Sequence, residues 1–193
     1  MARRRIHHRP RDRSVECELK FRVRGAQDHA RLRALLRKRG ARLEGKYDEE
    51  NYRFDGPGKS TRNITLRLRV LNGGPRGVLT AKGPAHFVGG VKVREETEVE
   101  VKDAHATLDL LAELGFRVEF TYKKHRAMWT LDGVVTVTLD TLDFGSFVEL
   151  EGPLEVLPEK ARSLDFDPAT ALKDSYSVLA RKHIAASKKT PAR

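Results

Sequence analysis

Carboxylates recur in this chain at spacings that could hold a hard cation. Glu16 and Glu18 stand two residues apart in "VECELKFRV" (15–23), and Glu149 and Glu151 do so in "FVELEG" (147–152). Asp140 closes "VTVTLD" (135–140). Paired carboxylates suit Mg²⁺ or Mn²⁺, which take few of them and keep water or phosphate oxygens as their other ligands. Cations recur in the same way. Arg67 and Arg69 alternate with Leu66, Leu68 and Val70, Lys82 ends "VLTAK", and Lys124 and Arg126 share a face of "YKKHRAMW" (122–129). In "VKVREETEVEV" (91–101), Lys92, Arg94, Glu96, Glu98 and Glu100 fall opposite valines and Thr97, with Glu95 the exception on the apolar side. Arginine grips phosphate oxygens with its fork and lysine acts as a point charge, so a ring of them suits several linked phosphates. Together these groups fit a metal-bound polyphosphate, such as a nucleotide or tripolyphosphate.

The elements that must position them follow from periodicity. Side chains along a strand point alternately to its two faces, so each alternating stretch reads as a half-buried strand. Eight are expected: about 15–23, 42–54, 64–71, 77–82, 91–102, 117–131, 134–141 and 147–151. "LNGGPRG" (71–77) and Asp132-Gly133 supply turns. Three helices are expected. Residues 28–40 carry Leu32, Leu35 and Leu36 and end at Gly40; 103–115 open on Asp103 as cap and end at Gly115. The third opens at Asp167-Pro168 and carries Leu172, Tyr176, Leu179 and His183 along a packing stripe. "LLRKRGARLEGKY" (35–47) and "LLAELGFRVEFTY" (110–122) form a weak internal repeat, which suggests two strand-helix-strand halves about a pseudo-twofold.

One wet face on an antiparallel sheet is ordinary and needs no ligand. Here, however, the polar faces are mostly Glu, Asp, Arg and Lys, while the helices need the valine and leucine faces to pack on. A closed sheet with apolar faces outward satisfies both, and it removes exposed edges. Eight strands leave a lumen wide enough for side chains or one small ligand. Charges enclosed there must be paired, hydrated or ligand-bound. Cys17 falls on the outward apolar face as packing.

The ordered series Glu16-x-Glu18-x-Lys20, "LRLR" (66–69), "LTAKGP" (79–84), "VREETEVEV" (93–101), Lys124-x-Arg126, Asp140, "FVELEG" and "DSYSVL" (174–179) resembles the CYTH superfamily, or triphosphate tunnel metalloenzymes. The likeness covers about residues 15–182 and is greatest to the class IV adenylyl cyclase branch. It implies an α+β fold: an eight-stranded antiparallel tunnel with a charged lumen and helices outside. It further implies that Glu16, Glu18, Glu149 and Glu151 hold metal, assisted by Asp140 and Glu96. Arg67, Arg69, Lys82, Arg94, Lys124 and Arg126 would bind the triphosphate, and Lys20 would bind phosphate or brace the acids. Glu16, Glu18, Lys20, Lys124 and Arg126 form the implied catalytic set. Arg22 is expected at the rim. The activity implied is conversion of ATP to cyclic AMP and pyrophosphate; the alternative is a triphosphatase acting on tripolyphosphate or an organic triphosphate. The family also allows a homodimer.

Other features narrow the field. No G-x-x-x-x-G-K-[ST] loop exists, so phosphate would be held by side chains on strands. "DFG" (143–145) lacks the companion motifs of a kinase and reads as a turn. The histidines have no zinc-ligand spacing. No apolar run approaches the roughly 18 residues of a membrane span, and the start lacks the apolar segment of a secretory signal. A single cysteine among 193 residues fits a reducing cytoplasm. The net charge of +11 lies mainly at the ends, with six Arg and one Asp in residues 1–14. The expected organisation is therefore a basic disordered arm (1–14), a tunnel domain (15–184) and a basic tail (185–193). Such arms hold nucleic acid or polyphosphate weakly, which leaves a non-catalytic binding module as the rival from another class.

Overall fold

The computed structural model of the chain describes residues 14–58 and 63–187. In chain order these form β1 (Ser14–Val23), α1 (Ala26–Lys38), β2 (Arg42–Asp55), β3 (Thr65–Leu71), β4 (Gly77–Lys82), β5 (His86–Val88) and β6 (Val91–Val101). There follow α2 (Ala104–Glu113), β7 (Arg117–Leu131), β8 (Val135–Leu142), β9 (Gly145–Glu151), α3 (Leu157–Ser163) and α4 (Tyr176–Ser187). Neighbouring strands run β1-β9-β8-β7-β2-β3-β4-β6, and β6 pairs back onto β1. Eight antiparallel strands thus close into a barrel, and β5 lies outside it on β6.

The barrel is apolar outside and charged inside. Cys17, Leu19 and Phe21 of β1, Val137 and Leu139 of β8 and Val148 and Leu150 of β9 face outward and are buried under Leu32 and Leu36 of α1 and Leu157 and Ala161 of α3. On the other side Ala104 and Leu111 of α2 cover Phe54, Leu68 and Val70. Each large side chain so buried contributes about 1.5–3 kcal/mol, and this wall offsets the cost of the polar interior. The alternate residues of the same strands point into the lumen. α4 stops part of that lumen: Tyr176, Leu179 and Ala180 pack on Leu142, Phe144 and Phe147.

Several expectations change. The helix expected from Asp167 is broken in two. Pro168–Thr170 is a single 3-10 turn capped by Asp167, Ala171 is extended, and the backbone N–H of Leu172 donates to the Lys20 carbonyl at 2.7 Å. That bond draws the chain across β1 before α4 begins at Tyr176. α3 and β5 were not foreseen; they are seven and three residues long, too short to carry a period. α4 runs to Ser187, so the first residues assigned to the basic tail are helical. The rest of the tail and the arm up to residue 13 lie outside the described residues. The Asp132-Gly133 hairpin forms as expected, with φ of 52° and 74°. Asp103 caps α2 by accepting from the Ala106 N–H.

Candidate active site

A cavity of about 180 Å³ occupies the lumen. Of the residues given a metal-, phosphate-binding or catalytic role by the resemblance, all but Asp140 line it. Register explains the convergence. Glu18 of β1 sits beside Glu151 of β9 on one edge and Lys92 of β6 on the other, and Lys20 sits beside Glu149. Glu16 faces Arg94, and Lys82 of β4 faces Glu96 of β6.

One carboxylate oxygen from each of Glu16, Glu18 and Glu151 lies within 4.8 Å of the other two. Two of these acids, Glu151 and Glu18, are short of hydrogen-bond donors. Glu151 makes no ion pair among the described residues, and burial together with the neighbouring Glu149, Glu16 and Glu18 pushes its carboxyl up to about 7. Glu18 Oε1 is out of water, 3.0 Å from the Lys20 ammonium but out of line for a hydrogen bond. Burial would raise Glu16 too, yet Lys82 overcomes this and holds it below the ordinary value. Crowded acceptors lacking donors are what a divalent cation satisfies, so the trio fits one.

Across the lumen the shortage is of anions. Arg67 and Arg69 project side by side from β3, and the Nε of each is buried without a hydrogen-bond partner. Among the described residues Arg69 reaches carboxylates only at Glu98, 3.5 Å away, and Glu49, 3.8 Å away. Arg94 is held by the Gly83 carbonyl at 2.9 Å and by Thr65 Oγ1 at 3.0 Å.

Comparison with known proteins finds one domain family and its fold. The model of the CYTH domain matches residues 14–162. The chain belongs to the CYTH domain family. A Methanocaldococcus jannaschii protein named "Putative adenylate cyclase" is 26% identical over 152 residues, 78% of this chain and 84% of that protein. A solved Pyrococcus horikoshii protein superposes with a TM-score of 0.71 at 26% identity, covering 85% of this chain and 98% of its own. A Hippeastrum protein, titled a "putative adenylyl cyclase" with a dominant triphosphatase activity, has the same fold at a TM-score of 0.65 and 19% identity, over 86% of this chain and 95% of that one.

The deep wall of this CYTH domain is, by contrast, fully paired. Arg126 donates to both Asp140 oxygens, at 2.7 and 2.6 Å, and also to Glu149. Lys124 lies 3.2 Å from both Glu49 and Asp140. Lys20 lies 3.1 Å from Glu149 and 4.2 Å above the Tyr176 ring. The Tyr176 hydroxyl donates to Asp140 at 2.9 Å. Burial would raise both Glu49 and Glu149; Lys124 and Arg126 hold Glu49 down at about 2, and Lys20 and Arg126 hold Glu149 far below the ordinary value. Asp140 is therefore a brace behind the cavity, its oxygens occupied by three donors.

Sequence reading passed over Glu49, Asn51 and Arg53 of β2. Their inward alternation is visible, but Asp48 and Glu50 make the other face polar as well, which hides the period. Tyr176 joins the packing cluster as expected, and it also lines the cavity with Ser175 and Ser177. Lys92 and Glu98 line it too. Arg22 is absent from the lining; it donates to the Phe144 carbonyl at 3.1 Å. No helix among the described residues is long and apolar enough to cross a membrane.

Proposed function

We propose that this CYTH protein is a divalent-metal-dependent enzyme acting on a triphosphate inside the barrel, and that its reaction is the conversion of ATP to cyclic AMP and pyrophosphate. The observation that carries the reading is the meeting, in one lumen, of acids short of donors and arginines short of anions. Glu16, Glu18 and Glu151 would hold Mg²⁺ or Mn²⁺, with Glu149 and Glu96 completing the acidic surround. The ion would supply positive charge that orients the triphosphate and withdraws electrons from phosphorus. Arg67, Arg69, Lys82 and Arg94 would bind the phosphates. Lys124 and Arg126 would place fixed positive charge at the deep end, where negative charge accumulates on the leaving pyrophosphate. Lys20 would brace Glu18 and Glu149. In cyclisation the ribose 3′-hydroxyl attacks the α-phosphorus, and the bond from that phosphorus to the bridging oxygen breaks. The named relative supports this choice of reaction, and a cytoplasmic setting suits the free, buried Cys17.

A second reading, hydrolysis that releases orthophosphate, is favoured by the lining itself. Its only rings are Tyr122 and Tyr176, and Tyr176 is already covered by Lys20 and bonded to Asp140, so no apolar slot for a base is evident. The deciding experiment incubates purified protein with Mg²⁺ or Mn²⁺ and either ATP or tripolyphosphate. Cyclic AMP with pyrophosphate upholds the first reading; orthophosphate without cyclic AMP replaces it with the second; no turnover of either substrate rejects both.

A further inference from the structure

We propose that Lys82 is the resident counter-ion of the metal-binding carboxylates and moves to the triphosphate when the divalent ion arrives, so that metal and triphosphate bind cooperatively by exchanging one ammonium group. The inference rests on the reading of Glu16, Glu18 and Glu151 as metal ligands.

Lys82 Nζ lies 2.7 Å from both oxygens of Glu16 and 3.1 Å from Glu96 Oε2. Glu16 is one of the three acids that converge. A cation coordinated by Glu16 and the Lys82 ammonium therefore compete for the same oxygens. The ammonium also has somewhere to go. β4 lies between β6, which carries Glu96, and β3, which carries Arg67 and Arg69. A lysine is a point charge on a flexible four-carbon stem, so it can leave one side for the other without moving its strand. Arg94, the neighbouring cation, is held by the Gly83 and Lys82 carbonyls and Thr65 Oγ1. Among the described residues the Lys82 ammonium is held by two carboxylates alone, Glu16 of the trio and Glu96 beside it.

The two ligands then need each other. Metal alone would drive the ammonium off Glu16 toward a wall that is already cationic. Triphosphate alone would meet a lysine already engaged. With both present, the metal takes the carboxylates and the ammonium takes phosphate oxygens, and by linkage each ligand raises the other's affinity equally. Lys92 is a weaker case of the same competition, 3.9 Å from Glu18 Oε2.

The test measures Mn²⁺ binding without turnover, by calorimetry and by electron paramagnetic resonance, with thermal unfolding to verify that each variant is folded. For Mn²⁺ alone, Lys82→Met should bind about tenfold more tightly than wild type and Lys92→Met about threefold. Lys82→Arg, which keeps a competing charge, should stay within about twofold. Tripolyphosphate should then raise Mn²⁺ affinity about tenfold more in wild type than in Lys82→Met; chelation in solution is common to both and cancels. Equal or weaker Mn²⁺ binding by Lys82→Met overturns the exchange and leaves the metal site standing. Should Lys82→Met fail to fold, Lys92→Met decides alone, and no gain in its Mn²⁺ affinity overturns the exchange. Absence of Mn²⁺ binding by every protein, with and without tripolyphosphate, overturns the metal site itself.

Discussion

Exchange β1 with β6, β2 with β7, β3 with β8 and β4 with β9, and the order of strands around the barrel is unchanged. α1 and α2 exchange with them, and the repeat of residues 35–47 at 110–122 is the trace of this pseudo-twofold in sequence. The side chains do not follow the symmetry; they invert it. Where β3 and β4 offer Arg67, Arg69 and Lys82, β8 and β9 offer Asp140, Glu149 and Glu151. Where β2 offers Glu49, the gapless repeat puts Lys124 of β7. Along the seams where the halves pair directly, opposite charges stand side by side: Glu16 with Arg94, Glu18 with Lys92, Glu49 with Lys124. The arms away from the seams fare differently. Asp140 and Glu149 are satisfied by Arg126, Lys124 and Lys20, whereas Glu151 and the Nε atoms of Arg67 and Arg69 are not. One twice-used skeleton thus yields a wall that is complete in itself and two surfaces whose charges are left without partners.

The contrast can be broken most severely at the complete wall. Arg126→Met removes the cation shared by Asp140 and Glu149 in the interior and should destabilise the fold by about 3–5 kcal/mol, read from urea unfolding. In the incomplete arm, Arg67→Met should cost far less stability while lowering kcat/KM about 100-fold, since under the proposed function it removes a donor to the phosphates. Equal losses of stability from the two changes would erase the distinction. Glu16→Ala should abolish metal-dependent turnover and leave the fold intact; unchanged turnover would reject the acid trio as the metal site.

A pH series sharpens the comparison further. Glu151 in the fold titrates at about 7, against 4.5 ordinarily, under burial and Glu149. Between those values the native state holds a proton that the unfolded chain has lost, so its share of stability falls as pH rises. Without added metal, stability should drop by about 2 kcal/mol between pH 5 and 7.5. Glu151→Gln should remove that share of the slope and leave the share of Glu96, which burial and Glu16 also push up to about 7. At the acid end the sign reverses. Glu49, held at about 2 chiefly by Lys124 against its burial, contributes stability above 4.5 that is lost as pH falls toward 2. A flat profile in both proteins would mean that Glu151 is not crowded by its neighbours.

The smallest effect is expected from residues 1–13. Deleting residues 1–13 should change turnover by less than about twofold and weaken salt-dependent binding of single-stranded DNA. A tunnel that only stores polyanions would instead lose its binding with the arm and show no turnover before or after.

How much of this was legible beforehand depended on which physical signal each residue carried. Glu16, Glu18, Arg67, Arg69, Glu149 and Glu151 sit on strands whose other face is apolar, so alternation exposed them and closure followed. Glu49 could not be read that way, because β2 is polar on both faces where it lies. Asp140 was legible as an inward acid, but its role as a brace depends on Arg126, Lys124 and Tyr176 arriving from β7 and α4. The break between Pro168 and Tyr176 was invisible because a backbone hydrogen bond to the Lys20 carbonyl makes it, and no side chain announces such a bond.

The way β1 is shared between two neighbours bears on how the molecule is made. Its first half pairs with β6 and its second half with β9, the last strand of the barrel. The first strand of the barrel is thus the last to be completed, and both of its partners lie far along the chain. Folding dominated by such distant pairings is slow, on the order of milliseconds to seconds. Until β9 and α3 leave the ribosome, Cys17, Leu19 and Phe21 of β1 lack part of their permanent cover, so the nascent chain is at its most aggregation-prone just before the ring shuts.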